Sequence, residues 1–289
     1  MNIQDFYIFK AVVQHGSFSK AAAELNYAQS NISMKIQNLE KFYNTTLFYR
    51  NYNGIRLTPK GETFHEMTLK MLDLYEKTRE LMNDEVQIRG PLRIGSMETP
   101  AALHLPKLLT NFHHTFEDVD LTVMTGPSRQ NIERVENYEL DGAFIAGPVY
   151  QEKLLAKELV LEELVVISSE NHPTIHDLKD MEEDTFIVFR LGCSYRAILE
   201  YWLNEEGMKP RKVMEFGTLD GLLGCVAAGL GVTLLPRSIA EKYRATIPLK
   251  MHLLTKKQTK VPTWFVYRND EYQSKALERF LQVVEEYSI

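Results

Sequence analysis

Between residues 29 and 41 the sequence spaces Ser30, Ser33, Met34, Gln37 and Lys41 so that they share one side of a helix, with Gln29 at its tip. At 100° per residue, Ile32, Ile36 and Leu39 fall on the opposite side and must face a core. Short hydrogen-bonding side chains near a helix N-terminus are what reading base edges in a major groove requires. A solvated amphipathic helix in any small bundle would carry the same pattern. Arg50 and Arg56 flank an Asn53-Gly54 hairpin signal, which places two cations where a β-wing could touch phosphate or the minor groove. Further on, two polar corners follow apolar runs, at Ser96-Met97-Glu98-Thr99-Pro100 and Thr125-Gly126-Pro127-Ser128. Corners of this kind cradle ligands in α/β sheets, although simple helix capping by Ser96, Thr99 and Ser128 uses the same residues. In Gly192-Cys193-Ser194-Tyr195-Arg196 a helix is predicted to start at Ser194, which puts Arg196 in its first turn. A cation there opposes the helix dipole, so a role in holding an anion is expected, with pairing to a surface acid such as Glu205 or Glu206 as the alternative. Cys193 beside that helix start is either a thiol with a lowered pKa or a buried structural cysteine.

Other chemistries find no support. There is no clustered nucleophile and base and no pair of carboxylates at catalytic spacing, so no enzymatic activity is expected. His113-His114 and the other histidines lack ligand spacing, and neither a metal nor a cofactor is predicted. Gly224…Gly229-Leu230-Gly231 reads as a helix ending before a strand, the wrong order for a dinucleotide loop. No apolar run reaches the ~18 residues that span a bilayer, and the first residues lack the features of an export signal. With two cysteines in 289 residues a disulfide framework is not expected, which fits a reducing compartment and points to the cytoplasm.

The elements that must position these residues fall into three regimes. Residues 1–60 read as three short helices and a hairpin: Phe6, Phe9 and Val13 stripe the first helix, which His15-Gly16 stops, and Ser17 caps a second one whose Ala21, Ala22 and Leu25 face inward. Asn26-Tyr27-Ala28 forms a turn, and the third helix runs from about Gln29 to Phe42. This segment carries seven Lys or Arg against three acids, +4, in a chain whose formal net charge is −6, so that a basic end is joined to an acidic body. Residues 61–87 read as one long helix with no internal Gly or Pro, with Phe64, Met67, Met71, Leu74, Thr78 and Leu81 forming a heptad seam. That seam either packs on its own domain or pairs two chains. From Gly90-Pro91 onward, strands predicted at 92–95, 121–124, 142–145, 163–168, 185–189, 231–235 and 263–267 alternate with helical stretches, the pattern of an α/β domain.

The run Phe9…Gly16-Ser17-Phe18-Ser19-Lys20-Ala21-Ala22…Leu25…Gln29-Ser30…Ser33…Ile36…Leu39-Glu40…Leu47-Phe48…Arg50…Leu57-Thr58…Gly61 resembles the N-terminal domain of LysR-type regulators. Pro106, Leu108-Leu109, Phe112, Glu139-Leu140-Asp141 and Ala227-Ala228-Gly229-Leu230-Gly231-Val232…Leu235-Pro236 are similar, more loosely, to the effector domain of that family. The resemblance implies an α/β chain with a winged helix-turn-helix at 1–61, a linker and dimerisation helix at 62–88, and an effector domain at 89–289 built like two-lobed solute-binding proteins. It implies a transcription regulator that acts as a homodimer or homotetramer on a roughly palindromic double-stranded operator, switched by a small effector, which the placement of Arg196 makes an anion. DNA contact is expected from Ser17, Gln29, Ser30, Ser33, Met34, Gln37, Arg50 and Arg56. Effector contact is expected from Ser96, Thr99, Gly126, Ser128, Arg196 and Thr218, the last within Phe216-Gly217-Thr218. Family members often carry Pro at the position of Ser30 and Arg at that of Met34, so a bidentate guanine contact is missing here.

Overall fold

The computed structural model describes residues 1–51, 54–82, 88–254 and 259–287. The chain divides into two compact units, Met1–Glu85 with Asn137–Glu139, and Val86–Glu136 with Leu140–Ile289. No helix among the described residues is long and apolar enough to cross a membrane.

In the first unit α1 (Ile3–His15) begins with a reciprocal cap between Asn2 and Asp5 and ends at Gly16, whose φ of 56° suits glycine. Ser17 caps α2 (Phe18–Glu24), and Asn26 turns the chain at φ 56° into α3 (Gln29–Phe42). Ala21 and Ala22 are buried, and their small size lets the helices cross closely. Phe9, fully buried, packs edge-on to Phe64 at 4.8 Å and against Phe48 at 5.2 Å. Burying such a ring stabilises the domain by about 1.5–3 kcal/mol. The wing is formed by β1 (Phe48–Asn51) and β2 (Gly54–Leu57), antiparallel with Arg50 opposite Ile55 and Tyr49 opposite Arg56. Asn53, half of the hairpin signal, lies outside the described residues.

The long helix α4 (Pro59–Leu81) starts with Pro at its first position and with Thr58 accepting the Gly61 N–H at 2.9 Å. A Cβ on Gly61 would sit 2.1 Å from the Leu47 carbonyl oxygen, so only glycine lets the helix start against the wing. The described helix closes at Met82, whose N–H reaches the Thr78 carbonyl. The expectation of helix to residue 87 is therefore corrected as far as Met82, and 83–87 lie outside the described residues. Along α4 the predicted seam is exposed at Met67, Met71, Leu74 and Leu81 (50%, 42%, 64% and 52%). Phe64, at its start, is packed into the domain core.

The second unit has two lobes. Lobe 1 collects β3 (Gly90–Ser96), α5 (Glu98–Leu103), α6 (Leu105–Thr115), β4 (Val119–Thr125), α7 (Ser128–Glu136) and β5 (Gly142–Ala146). Next comes β6 (Leu154–Ser169), whose first part pairs with a later strand of lobe 1 and whose last part belongs to lobe 2. Lobe 2 holds β7 (Thr185–Phe189), α8 (Ser194–Glu205), β8 (Lys212–Phe216), α9 (Leu219–Ala227), β9 (Thr233–Pro236), α10 (Arg237–Tyr243) and β10 (Leu249–His252). The chain then returns to lobe 1 as β11 (Lys260–Arg268) and α11 (Lys275–Tyr287).

In lobe 1, β3 runs parallel to β4 and β5, and β11 is antiparallel to β5 and β6. Its core is aromatic, with Phe112, Phe144, Phe265 and Phe280 all fully buried. Arg268, 5% exposed, donates to the carbonyls of Val135 and Leu140 and to Asp270, which fixes the chain around α7. The strands β8 and β10 and the first half of β6 were not anticipated. Residues 153–163 carry many Lys, Glu and Leu, good helix formers that tertiary pairing overrides here.

Candidate functional site

The side of α3 away from the core exposes Gln29, Ser30, Met34 and Gln37 and half-exposes Ser33. Gln29 Nε2 donates to Ser33 Oγ at 3.1 Å, so the two lie on one face. Ala28, the N-cap, offers no side-chain cap, and the first N–H groups of α3 are left for an outside acceptor. Behind that face Lys35 reaches Asp5 at 2.7 Å. Burial alone would raise the Asp5 carboxyl, but the Lys35 ammonium and the Asn2 N–H outweigh it and hold it below its ordinary value.

The two wing arginines differ. Arg50 donates to Glu40 at 3.1 Å and lies over the Phe18 ring at 5.3 Å, while Glu40 also accepts the Leu47 N–H at 2.8 Å. It thereby fastens the wing to α3. The Arg56 side chain is exposed and makes no hydrogen bond or ion pair with any described residue. The Ser17 hydroxyl is used as a helix cap, accepting the Lys20 N–H at 3.4 Å.

In the second unit the carboxyl ends of β3, β4 and β7 face a cleft of about 180 Å³. Lobe 1 lines it with Met97, Glu98, Thr99, Thr125, Gly126, Pro127 and Gln130, and lobe 2 with Phe189, Arg190, Cys193, Tyr195, Phe216 and Gly217. Two hydrogen bonds cross between the lobes beside it: Thr99 Oγ1 to the Tyr195 hydroxyl at 3.3 Å, and Arg129 N–H to the Gly192 carbonyl at 3.2 Å. Burial pushes the Tyr195 hydroxyl up, so that it stays a neutral phenol. Arg190 lies over Gly217, where a Cβ would come within 2.8 Å of the guanidinium.

Of the predicted effector contacts, Thr99 and Gly126 line the cleft. Ser96 is fully buried, donates to the Met97 carbonyl at 2.8 Å and does not line the cavity. Ser128 is spent on Met97 Sδ at 2.7 Å and borders a wider open groove between α7 and α8. Thr218 is the exposed N-cap of α9 and stands outside the cavity, although its neighbours Phe216 and Gly217 line it.

The expectation for Arg196 is corrected. Its side chain, 13% exposed, donates to Glu200 and Glu215, each at 2.7 Å, and to the Phe189 carbonyl at 3.1 Å. Tyr195 takes the cleft side of α8, and one residue further the helix has turned by about 100°, towards two carboxylates that satisfy the guanidinium. Arg190, Glu98, Gln130 and Tyr195 were missed. The signal for Arg190 was its place directly after the predicted strand 185–189, at the carboxyl end where ligands bind.

Cys193 is 7% exposed, and burial pushes its thiol up against the smaller opposing pull of nearby N–H groups and Arg196. Ser168 and His252 touch at 2.7 Å but form no nucleophile and base, because His252 Nδ1 accepts the Ile175 N–H at 3.0 Å. The proton therefore sits on Nε2 and is donated to Ser168. Among the described residues no group of three or more His, Cys, Asp or Glu could hold a metal.

Residues 3–62 match the family model for the bacterial regulatory helix-turn-helix protein of the lysR family, and residues 86–288 match that for the LysR substrate binding domain. The chain belongs to the LysR family of transcriptional regulators. It is 46% identical over 281 residues to the HTH-type transcriptional regulator GltR of Bacillus subtilis (strain 168), covering 97% of this chain and 95% of that one. A crystal structure of full-length CbnR complexed with its target DNA is similar in fold, with a TM-score of 0.67 at 21% identity and coverage of 99% and 100%. So is the effector binding domain of QuiR in complex with shikimate, with a TM-score of 0.61 at 22% identity, covering 69% of this chain and 97% of that one. As a LysR-type regulator the chain is a DNA-binding protein with an effector-binding domain and not an enzyme. In the helix-turn-helix of this family member the exposed face of α3 is polar but uncharged in its first turn.

Proposed function

We propose that this LysR-type regulator reads a roughly palindromic operator as a homodimer or homotetramer in the cytoplasm, and that a small anionic effector in the interlobe cleft switches it. The division of labour is 1–61 for DNA, 62–88 for pairing and 89–289 for sensing. Base contact comes from Gln29, Ser30, Ser33, Met34 and Gln37, and backbone contact from Arg56, with Ser17 and Arg50 holding the second helix and the wing in place for it. The exposed seam of α4 supports pairing, since a chain that buries these residues on itself would not leave four large apolar side chains in water. The effector subsite comprises Thr99, Gly126 and Arg190, and Arg190 replaces Arg196 as the anion's partner.

One observation carries the effector reading: Arg190 is a cation at the mouth of a small cleft, and its side chain has no hydrogen bond or ion pair to any described residue. A guanidinium so placed offers a two-pronged donor to a carboxylate or phosphate. The effector binding domain of QuiR holds shikimate, a small polar molecule, which supports a ligand of that size and polarity here. The test is operator binding by fluorescence anisotropy over a salt series, with selected genomic fragments. Arg56→Ala is expected to weaken binding to all fragments alike and to lower the salt slope by about 1. Binding without sequence preference, or an unchanged slope, would overturn the DNA reading. In the same assay, organic carboxylates are expected to shift operator affinity for the wild type and not for Arg190→Gln.

A further inference from the structure

We infer that the effector is a small zwitterion, an α-amino acid or close analogue carrying an ammonium and a carboxylate on one short carbon frame; this rests on the cleft being the effector site. The cleft presents charges of both signs from opposite walls. Arg190 comes from the end of β7 in lobe 2, and Glu98 from the start of α5 in lobe 1. Glu98 is half-buried, and neither its side chain nor that of Arg190 makes a hydrogen bond or ion pair with a described residue, so they do not neutralise one another.

A simple anion answers only half of this arrangement. It would pair with Arg190 but bring a second negative charge towards the half-buried Glu98 carboxylate, which opposes its binding. A molecule with an ammonium at one end meets both charges, and Gln130 with the Thr99 and Tyr195 hydroxyls supplies neutral hydrogen-bonding groups around it. The volume, about 180 Å³, is consistent with a small organic molecule of this kind. Because the two charges sit on different lobes, such a ligand ties the lobes together, and its affinity differs between closer and wider arrangements of the cleft. That difference is what a switch needs.

The test is calorimetric titration of the full-length protein with each of the twenty protein amino acids, with their desamino acids, in which hydrogen replaces the ammonium, and with acetate, propionate and benzoate. At least one amino acid is expected to bind, and its desamino acid to bind the wild type at least about tenfold more weakly. Glu98→Gln should erase that discrimination while keeping the wild-type melting temperature, and Arg190→Gln should abolish binding of both. The comparison of ligands on the wild type needs no variant. Desamino acids that bind as tightly as the amino acids, or a panel in which no amino acid binds, would overturn the zwitterion. If carboxylates then still bind in an Arg190-dependent way, the anionic reading survives without it; if nothing binds through Arg190, both fall.

Discussion

His252 shows how a residue-scale contact reaches the stability of the regulatory unit. Its ring is 3% exposed and fully used, donating to Ser168 and accepting from Ile175. Burial first, then the positive charge of Lys250, lowers its pKa from 6.5 to about 4. The folded protein therefore binds fewer protons than the unfolded chain between these values, and stability rises with pH across that window. The neutral ring's contribution is complete above pH 6.5 and is lost as the pH falls towards 4. Thermal melts at about pH 7.5 and about pH 4.5 should show a smaller acid-induced drop for His252→Gln than for the wild type, even if the variant starts lower. Equal drops would mean that other groups carry the acid sensitivity. The two wing arginines differ at the same scale: Arg56 has no side-chain partner among the described residues, whereas Arg50 is tied to Glu40.

At the scale of elements, α4 has a wet apolar stripe. Met67, Met71, Leu74 and Leu81 alternate by four and by three when Thr78 is counted, and Thr78 returns its hydroxyl to the Leu74 carbonyl at 2.7 Å. The weak slot of the seam is thus internally satisfied and does not resist packing against a second helix. Leu74→Asp adds a charge at a site that is 64% exposed in the single chain, so the fold should tolerate it. Self-association should weaken by roughly 30-fold or more, the effect of losing a contact of about 2 kcal/mol at an interface. Sedimentation equilibrium reads this directly, and an unchanged association constant would remove the helix from the interface. The strand β6 matters for a different reason, since one continuous strand serves sheets in both lobes and makes the cleft a feature of a shared backbone.

At the scale of the whole regulatory unit, the lobes abut at a glycine. Gly192 has φ +90°, its carbonyl accepts the Arg129 N–H, and a Cβ there would lie 3.2 Å from Arg129 Cβ. Gly192→Ala should cost about 1–3 kcal/mol through the backbone conformation, and the lobes must give by a few tenths of an ångström to admit the methyl. Hydrogen exchange should then show lost protection at the Arg129 amide while the β3 and β11 amides stay protected. Protection retained at Arg129 would show that the lobes do not depend on this contact.

How much of this was legible depends on whether the determining interactions are local. The helices α1 to α3, the wing and the exposed face of α3 followed from spacing, caps and turn residues, because each is set within a few neighbours along the chain. Ser194 as a helix start and Thr99 and Gly126 as corner residues followed for the same reason. The partners of Arg196 were not legible: Glu200 and Glu215 reach it only once β8 lies beside α8, and no local pattern reports a strand as exposed and charged as β8. Nor was the meeting of Arg190 and Glu98 at one cleft, since they come from lobes that are joined by long-range strand pairing. The sequence by itself determined a basic helix-turn-helix, a long helix with an apolar seam and an α/β sensor. That Arg196 is paired with two carboxylates while Arg190 lines the cleft was decided only in three dimensions, because a charge's partners depend on what folding brings within hydrogen-bond reach of it.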